Sequence, residues 1–310
     1  MFKKILLIYA LLLLMLLGDF VRIIFAEDVT KVIFCDVGQG DAILVVRGSF
    51  QLLVDAGSGS SVLTCLNNHM PAFDRTIELV VITHPHFDHY GGMSYVMANY
   101  RVDNIMIDNF VQSDLFFYEF YNLLMDRIES NELHQFVSSE NMRLRFFEDF
   151  FLEVIHSRSN LPPEDIFAER LNIEELSALK TEIDQIERNL NNVSIVVNLH
   201  IEDKIITLTG DLEEARELAL VRSGVLDKVD VLKIPHHGSK SSSSPEFLEI
   251  LLPEIAVITV GRNNRYRHPH ADVVSRLENL PTRIYRTDQH GEIVMEIRNG
   301  EITVLTEIDL

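Results

Sequence analysis

The sequence predicts an α/β fold with a sheet-on-sheet core and helices outside it. Three observations carry this: short β-branched and aromatic runs in both halves of the chain, helix-patterned segments among them, and several strand-like runs that end directly in histidine or aspartate. With 310 residues, 47% of them hydrophobic and 24% charged, the chain can bury a sizeable core.

At the N-terminus, Lys3 and Lys4 precede an apolar run from Ile5 to Leu17, which Gly18, Asp19 and Arg22 interrupt before Ile23–Ala26. Residues 1–26 therefore read as a secretory signal or an uncleaved membrane anchor. The run is shorter than the roughly 20 residues of a membrane span, and Ile24 fits a small-x-small cleavage site poorly. Either reading puts residues 27–310, taken as one domain, outside the cytoplasmic membrane, secreted or anchored.

Strands are expected over Val32–Asp36, Asp41–Arg47 and Phe50–Asp55, separated by Gly38, Gly40 and Gly48. Leu79–Thr83 is almost continuously apolar, as for a strand buried on both faces, and it runs straight into His84. Gly91 and Gly92 lead into a helical segment, Met93–Tyr100. Residues 111–190 differ in character, with 17 acidic and 7 basic side chains. Apolar spacing over Leu115–Ile128 and charge patterning over Ile173–Leu190 predict a solvent-facing helical insertion around a short strand, Phe150–Ile155. Strands follow at Ser194–Ile201, Lys204–Thr209, Val229–Ile234, Ile255–Val260, Arg283–Arg286, Glu292–Ile297 and Ile302–Thr306, with helices at Glu213–Arg222 and Ala271–Leu280.

The net charge of −20 makes a uniformly acidic surface that repels nucleic acid at long range, so a polyanionic partner needs a local basic patch or metal ions. Two cysteines, Cys35 and Cys65, are too few for a disulfide scaffold or a thiolate zinc site. An oxidising compartment would allow one bridge. Because Cys35 lies in an apolar strand, the expectation is two buried free thiols.

The chemistry concentrates in His84-Pro85-His86-Phe87-Asp88-His89. A loop leaving a buried strand presents His84 and His86 to one side, while Asp88 and His89 follow on the turn toward a second point. Imidazole and carboxylate donors suit zinc, and also manganese or iron. Later strand ends add Asp211 in Thr209-Gly210-Asp211, the pair His236 and His237, and His156. Alone, Asp211 reads equally as a helix N-cap; with the first motif these residues supply two sets of ligands.

The ordered series Asp36–Ala42, Leu53–Gly57, His84–Gly92, Asn191–Val196, Thr209–Asp211, Leu232–Ser239 and Gly261–Pro269 resembles the metallo-β-lactamase superfamily, and within it the extracytoplasmic hydrolase-like domain of ComEC-type competence proteins. The resemblance covers roughly residues 30–297 and implies a four-layer αββα sandwich. It also implies two divalent ions, zinc first, with manganese or iron as alternatives. His84, His86 and a third histidine would hold one, with His156 in the expected strand-end position. Asp88, His89 and a later histidine would hold the other, with Asp211 bridging. His237 aligns best for that role and His236 is its rival. Ser157 after His156 departs from the proline the pattern calls for.

Such a centre activates water and needs no serine or cysteine nucleophile. Asn192, Ser194 and the Gly238–Ser244 loop, including Ser239, are candidate oxyanion contacts. Residues 231–290 hold 8 basic and 6 acidic side chains, and Arg262, Arg265 and Arg267 surround Asn264 and His268. A basic rim suits a phosphate group; it also suits a solvated loop of paired arginines. Asp88 and His268 are the catalytic candidates, His268 as a phosphate contact or leaving-group acid. His270 and His290 read as surface residues. The expected function is hydrolysis of a phosphodiester, of nucleic acid or a cell-surface polymer. The alternatives are β-lactam, ester or amide hydrolysis by the same fold, or a non-catalytic binding module that keeps metal for structure.

Overall fold

In the computed structural model, residues 29–157, 166–168, 170–187 and 189–308 are described. The signal or anchor expected at residues 1–26 lies outside them. Among the described residues no helix is long and apolar enough to cross a membrane.

Two sheets face each other across an apolar interior. The first has the strand order Glu301–Thr306, Ile293–Arg298, Thr30–Phe34, Ile43–Arg47, Phe50–Val54, Leu79–Ile82, Asn104–Ile107, His134–Phe136. The second runs Arg283–Arg286, Ile255–Ile258, Val231–Lys233, Lys204–Leu208, Val196–Ile201, Phe150–His156, Arg143–Arg145. Strand alternation splits the core. In the strand Thr30–Phe34, Val32 and Phe34 point between the sheets with Leu152, Val197 and Ile206, while Ile33 points outward under the helices with Val96, Phe117 and Leu124. A third apolar cluster, with Leu232, Phe247, Ala256 and Val273, seats the helices Pro245–Leu251 and Ala271–Glu278 on the second sheet. Helix, sheet, sheet and helix thus make the expected sandwich, each fully buried Val, Leu, Ile or Phe contributing about 1.5–3 kcal/mol.

Two expectations change. The segment 111–190 does more than insert helices. His134–Phe136 forms the edge of the first sheet, and Arg143–Arg145 with Phe150–His156 completes the second. Its helix Leu115–Glu129 is half-docked rather than solvent-facing, burying Phe117, Phe120, Tyr121, Leu124 and Met125. The two short edge strands carry too few apolar residues to show period-2 alternation. Second, Cys35 and Cys65 are joined in a disulfide, with Cα atoms 5.8 Å apart. The helix Ser61–His69 was not foreseen, and it is this helix that carries buried Cys65 over the end of the first strand.

Candidate metal centre

The centre lies where strands of both sheets end together. Leu79–Ile82, buried along its whole length, delivers Thr83 and His84, and a single helical turn, Phe87–Tyr90, then carries Asp88 and His89. Gly40 fixes the position of this turn: its φ is +121°, and a Cβ there would stand 2.1 Å from the carbonyl oxygen of Asp88, which accepts a hydrogen bond from the Asp41 amide at 3.2 Å. On the second sheet, Lys204–Leu208 leads through Thr209 and Gly210 to Asp211, and Val231–Lys233 leads to the turn Pro235–Gly238. In that turn His236 and His237 both adopt left-handed backbone, with φ of 49° and 54°. Each costs about 1–3 kcal/mol. Hydrogen bonds from His236 N to Gly210 O (3.2 Å) and from His270 N to Gly238 O (2.8 Å) hold the turn, which aims both imidazoles at Asp211.

Asp211 is the centre of the arrangement. Its Oδ1 lies 3.3 Å from His89 Nε2 and 3.4 Å from His237 Nε2, and His237 Nε2 is 3.6 Å from Asp88 Oδ2. Its Oδ2 faces the other way, 3.8 Å from His84 Nε2 and 3.7 Å from His236 Nε2. His86 Nδ1 is 3.1 Å from His84 Nε2. His89 Nε2, His237 Nε2 and Asp211 Oδ1 are buried and have no hydrogen-bond partner among the described residues. Donors about 2.0–2.1 Å from a tetrahedral ion stand about 3.3–3.4 Å apart, so this spacing fits a shared divalent cation. Leaving these three atoms buried and unsatisfied is otherwise costly.

A second layer orients the first. Asp55 accepts from His89 Nδ1 at 2.8 Å and from Thr83 through both N (2.8 Å) and Oγ1 (2.7 Å). The Thr259 carbonyl lies 2.8 Å from His237 Nδ1, leaving Nε2 to face the cluster. Lys233, fully buried, places its ammonium 2.5 Å from Asp41, 2.9 Å from the Gly210 carbonyl and 3.8 Å from Asp211. Burial alone would lower His89, but the Asp211 and Asp55 carboxylates outweigh it and raise its pKa well above the ordinary value. His237 is likewise raised against its burial by Asp211 and Asp41. Burial, then the charge of His89, pushes His84 well down. Burial alone would raise Asp88, but the neighbouring His237 and His89 rings outweigh it and hold the carboxyl below the usual range.

Not every expected residue joins the cluster. His156 ends its strand but turns away, with Nε2 3.3 Å from the Asn192 carbonyl and Nδ1 3.3 Å from Glu140. Its place as third histidine beside His84 and His86 is open, and His236 is the imidazole that faces Asp211 Oδ2 there. Ser194 is fully buried and its Oγ accepts the Asp211 amide at 3.1 Å, which makes it a brace for Asp211 rather than an oxyanion contact. In the serine run, the amides of Ser243 and Ser244 are taken by Glu217, at 2.6 and 2.7 Å, and Ser239 pairs with Ser241 at 3.0 Å. Asn192 presents a buried Oδ1 without a partner among the described residues. Asn264 grips its own loop, accepting from His268 N (2.9 Å) and donating to His268 O (2.7 Å).

Arg265 and Arg267 are exposed, as is Arg262, whose Nε bonds the Asp288 carbonyl at 3.0 Å. The His268 ring stands 5.6 Å from that of His236. Burial and then the charges of His236 and His237 hold its pKa down to about 4. A neutral imidazole can offer an N–H to a phosphate oxygen. Asp41, Asp55, Lys233 and Thr259 were missed as site residues. Asp55 gave a signal, a carboxylate ending an apolar strand just before Ala56 and Gly57.

The family model described as the metallo-beta-lactamase superfamily matches residues 35–262. ComE operon protein 3 of Bacillus subtilis is 42% identical over 109 residues, which are 35% of this chain and 14% of that protein. Recombination protein 2 of Haemophilus influenzae is 25% identical over 262 residues, covering 83% of this chain and 28% of that protein. The chain thus spans under a third of the length of either relative. Among solved structures, the metallo-beta-lactamase fold protein YhfI from Bacillus subtilis superposes with a TM-score of 0.52 at 11% identity, over 89% of this chain and all of that one.

Proposed function

Because the chain belongs to the metallo-beta-lactamase superfamily, we propose that it is a dinuclear metal-dependent hydrolase of phosphodiester bonds, with nucleic acid as the substrate class. The observation that carries this reading is the division of the Asp211 carboxylate, Oδ1 toward His89 and His237 and Oδ2 toward His84 and His236. Asp88, His89, His237 and Asp211 would hold one ion; His84, His86, His236 and Asp211 would hold the other. Zinc suits this donor set, with manganese or iron as alternatives. When bound, two divalent cations make water a nucleophile at neutral pH and neutralise charge on a phosphoryl group.

The chain's own residues do the rest. Asp55 and the Thr259 carbonyl keep Nε2 of His89 and His237 turned to the centre. Asp88 is partly exposed, at 31%, so the cluster is reachable from solvent at this residue. His268, whose ring neighbours His236, and the exposed Arg265 and Arg267 in the same loop would provide contacts for a phosphate. The names of the relatives, a competence-operon protein and a recombination protein, support a role connected with DNA. The Cys35–Cys65 disulfide supports an extracytoplasmic location, since such bonds persist in oxidising compartments.

Reconstitution with zinc or manganese, elemental analysis, and assays with bis(p-nitrophenyl) phosphate and nitrocefin test the reading. About two equivalents of metal, with phosphodiester turnover abolished in Asp211→Asn, are expected. Turnover of nitrocefin alone would move the assignment to β-lactams, and a failure to bind metal would leave a binding module.

A further inference from the structure

The helix Leu115–Glu129 has a complete buried stripe without its first two residues: Leu115 is 59% exposed and Phe116 61%. Phe117, by contrast, is buried, with its amide capped by Asp114 at 3.0 Å. The helix start is pinned to the metal loop. Gln112 Nε2 donates to the Pro85 carbonyl at 3.1 Å, and the Phe116 ring lies 5.1 Å from the ring of Phe87. Phe87 stands between His86 and Asp88, is 43% exposed, and is backed edge-on by Tyr90 at 5.8 Å. Two adjacent open rings, tilted 51° to each other, therefore stand on the metal-binding loop and on the start of the helix pinned to it. Exposed aromatic pairs that continue a polar site are a feature of binding surfaces.

We infer that Phe87 and Phe116 form a stacking platform for a nucleobase of the phosphodiester substrate, next to the scissile group. The inference rests on the proposed phosphodiesterase reading for its occupant, and on the juxtaposition of these two rings with the His86–His89 loop for its place. The chemistry divides accordingly: cationic groups and metal ligands meet the phosphate, and the phenyl faces meet the flat base. Stacking on an aromatic ring is tolerant of sequence and contributes about 1–3 kcal/mol per base. That corresponds to roughly 5- to 150-fold in affinity.

The chain contains no tryptophan, so a Phe116→Trp variant carries a single fluorescent reporter at an exposed position. The full chain, stripped of metal with chelator so that nothing is cleaved, is titrated with a short oligothymidylate and with an abasic oligonucleotide of equal length and charge. Quenching by oligothymidylate at a concentration at least fivefold lower than by the abasic strand is expected. Adding Phe87→Ala should bring the two strands within about twofold. Equal quenching by both strands, or none by either, would overturn the platform. A base preference in protein that hydrolyses no phosphodiester when metal-loaded would sink the hydrolase reading alone and leave the platform standing.

Discussion

The carboxylate of Asp55 stands 2.8 Å from Nδ1 of His89, beneath the ligand cluster, and this contact turns the opposite nitrogen of the ring toward Asp211. A carboxylate behind a ligating histidine fixes ring orientation and raises ligand basicity. Asp55→Asn keeps the shape but loses the charge. Metal affinity should fall about 10- to 100-fold, as read by chelator competition, while the circular dichroism spectrum is retained. Unchanged affinity would show that Asp55 supports the fold and not the centre.

Metal binding should release protons. The buried carboxylates raise the pKa of both His89 and His237 above the ordinary imidazole value, so an ion bound by these rings competes with protons more than at an ordinary histidine. Calorimetry in buffers of different ionisation enthalpy should report net proton release when an ion binds at His89 and His237. The sign follows directly: affinity falls as pH drops, and it flattens only above the raised values. Release near zero at pH 7 would mean that both rings are already neutral.

His236 and His156 can be separated by metal stoichiometry. Removing the imidazole that faces Asp211 Oδ2, in His236→Ala, should cost about one equivalent of metal after dialysis. His156→Ala should leave the metal content unchanged, because its nitrogens already face Asn192 and Glu140. The reverse pattern would restore His156 as the third histidine beside His84 and His86.

The disulfide closes a loop with a sequence separation of 30 between Cys35 and Cys65. Loop-closure entropy for that length is about 3–4 kcal/mol. Cys65→Ser should lower unfolding stability by about that amount in urea titrations. Adding reductant should bring the wild-type curve onto the variant's and leave the variant's unmoved.

The strands were legible where burial is two-sided or alternation is long. Leu79–Ile82 ends within one residue of its expected position, and Arg283–Arg286 coincides with it. The first ligands were legible because His84, His86, Asp88 and His89 lie in one stretch, where local geometry alone brings them together. Other features depend on contacts distant in sequence. Lys233 reads as a charge interrupting an apolar strand, and only the crossing of Val231–Lys233 beside Asp41 makes it a buried ion pair. His156 had the right place in sequence, yet pairing with Val196 at an irregularity in the ladder accompanies a ring that faces Asn192 and Glu140. The helix Ser61–His69 was missed because it is short and its buried side chains, Val62, Cys65 and Leu66, make only a narrow stripe.

Lys233 gives the centre a permanent internal counter-ion: with its ammonium on Asp41 and the Gly210 carbonyl, part of the interior negative charge is balanced before any metal arrives. Carboxylates that would repel one another where the two sheets meet are thereby held together by a residue of the chain itself.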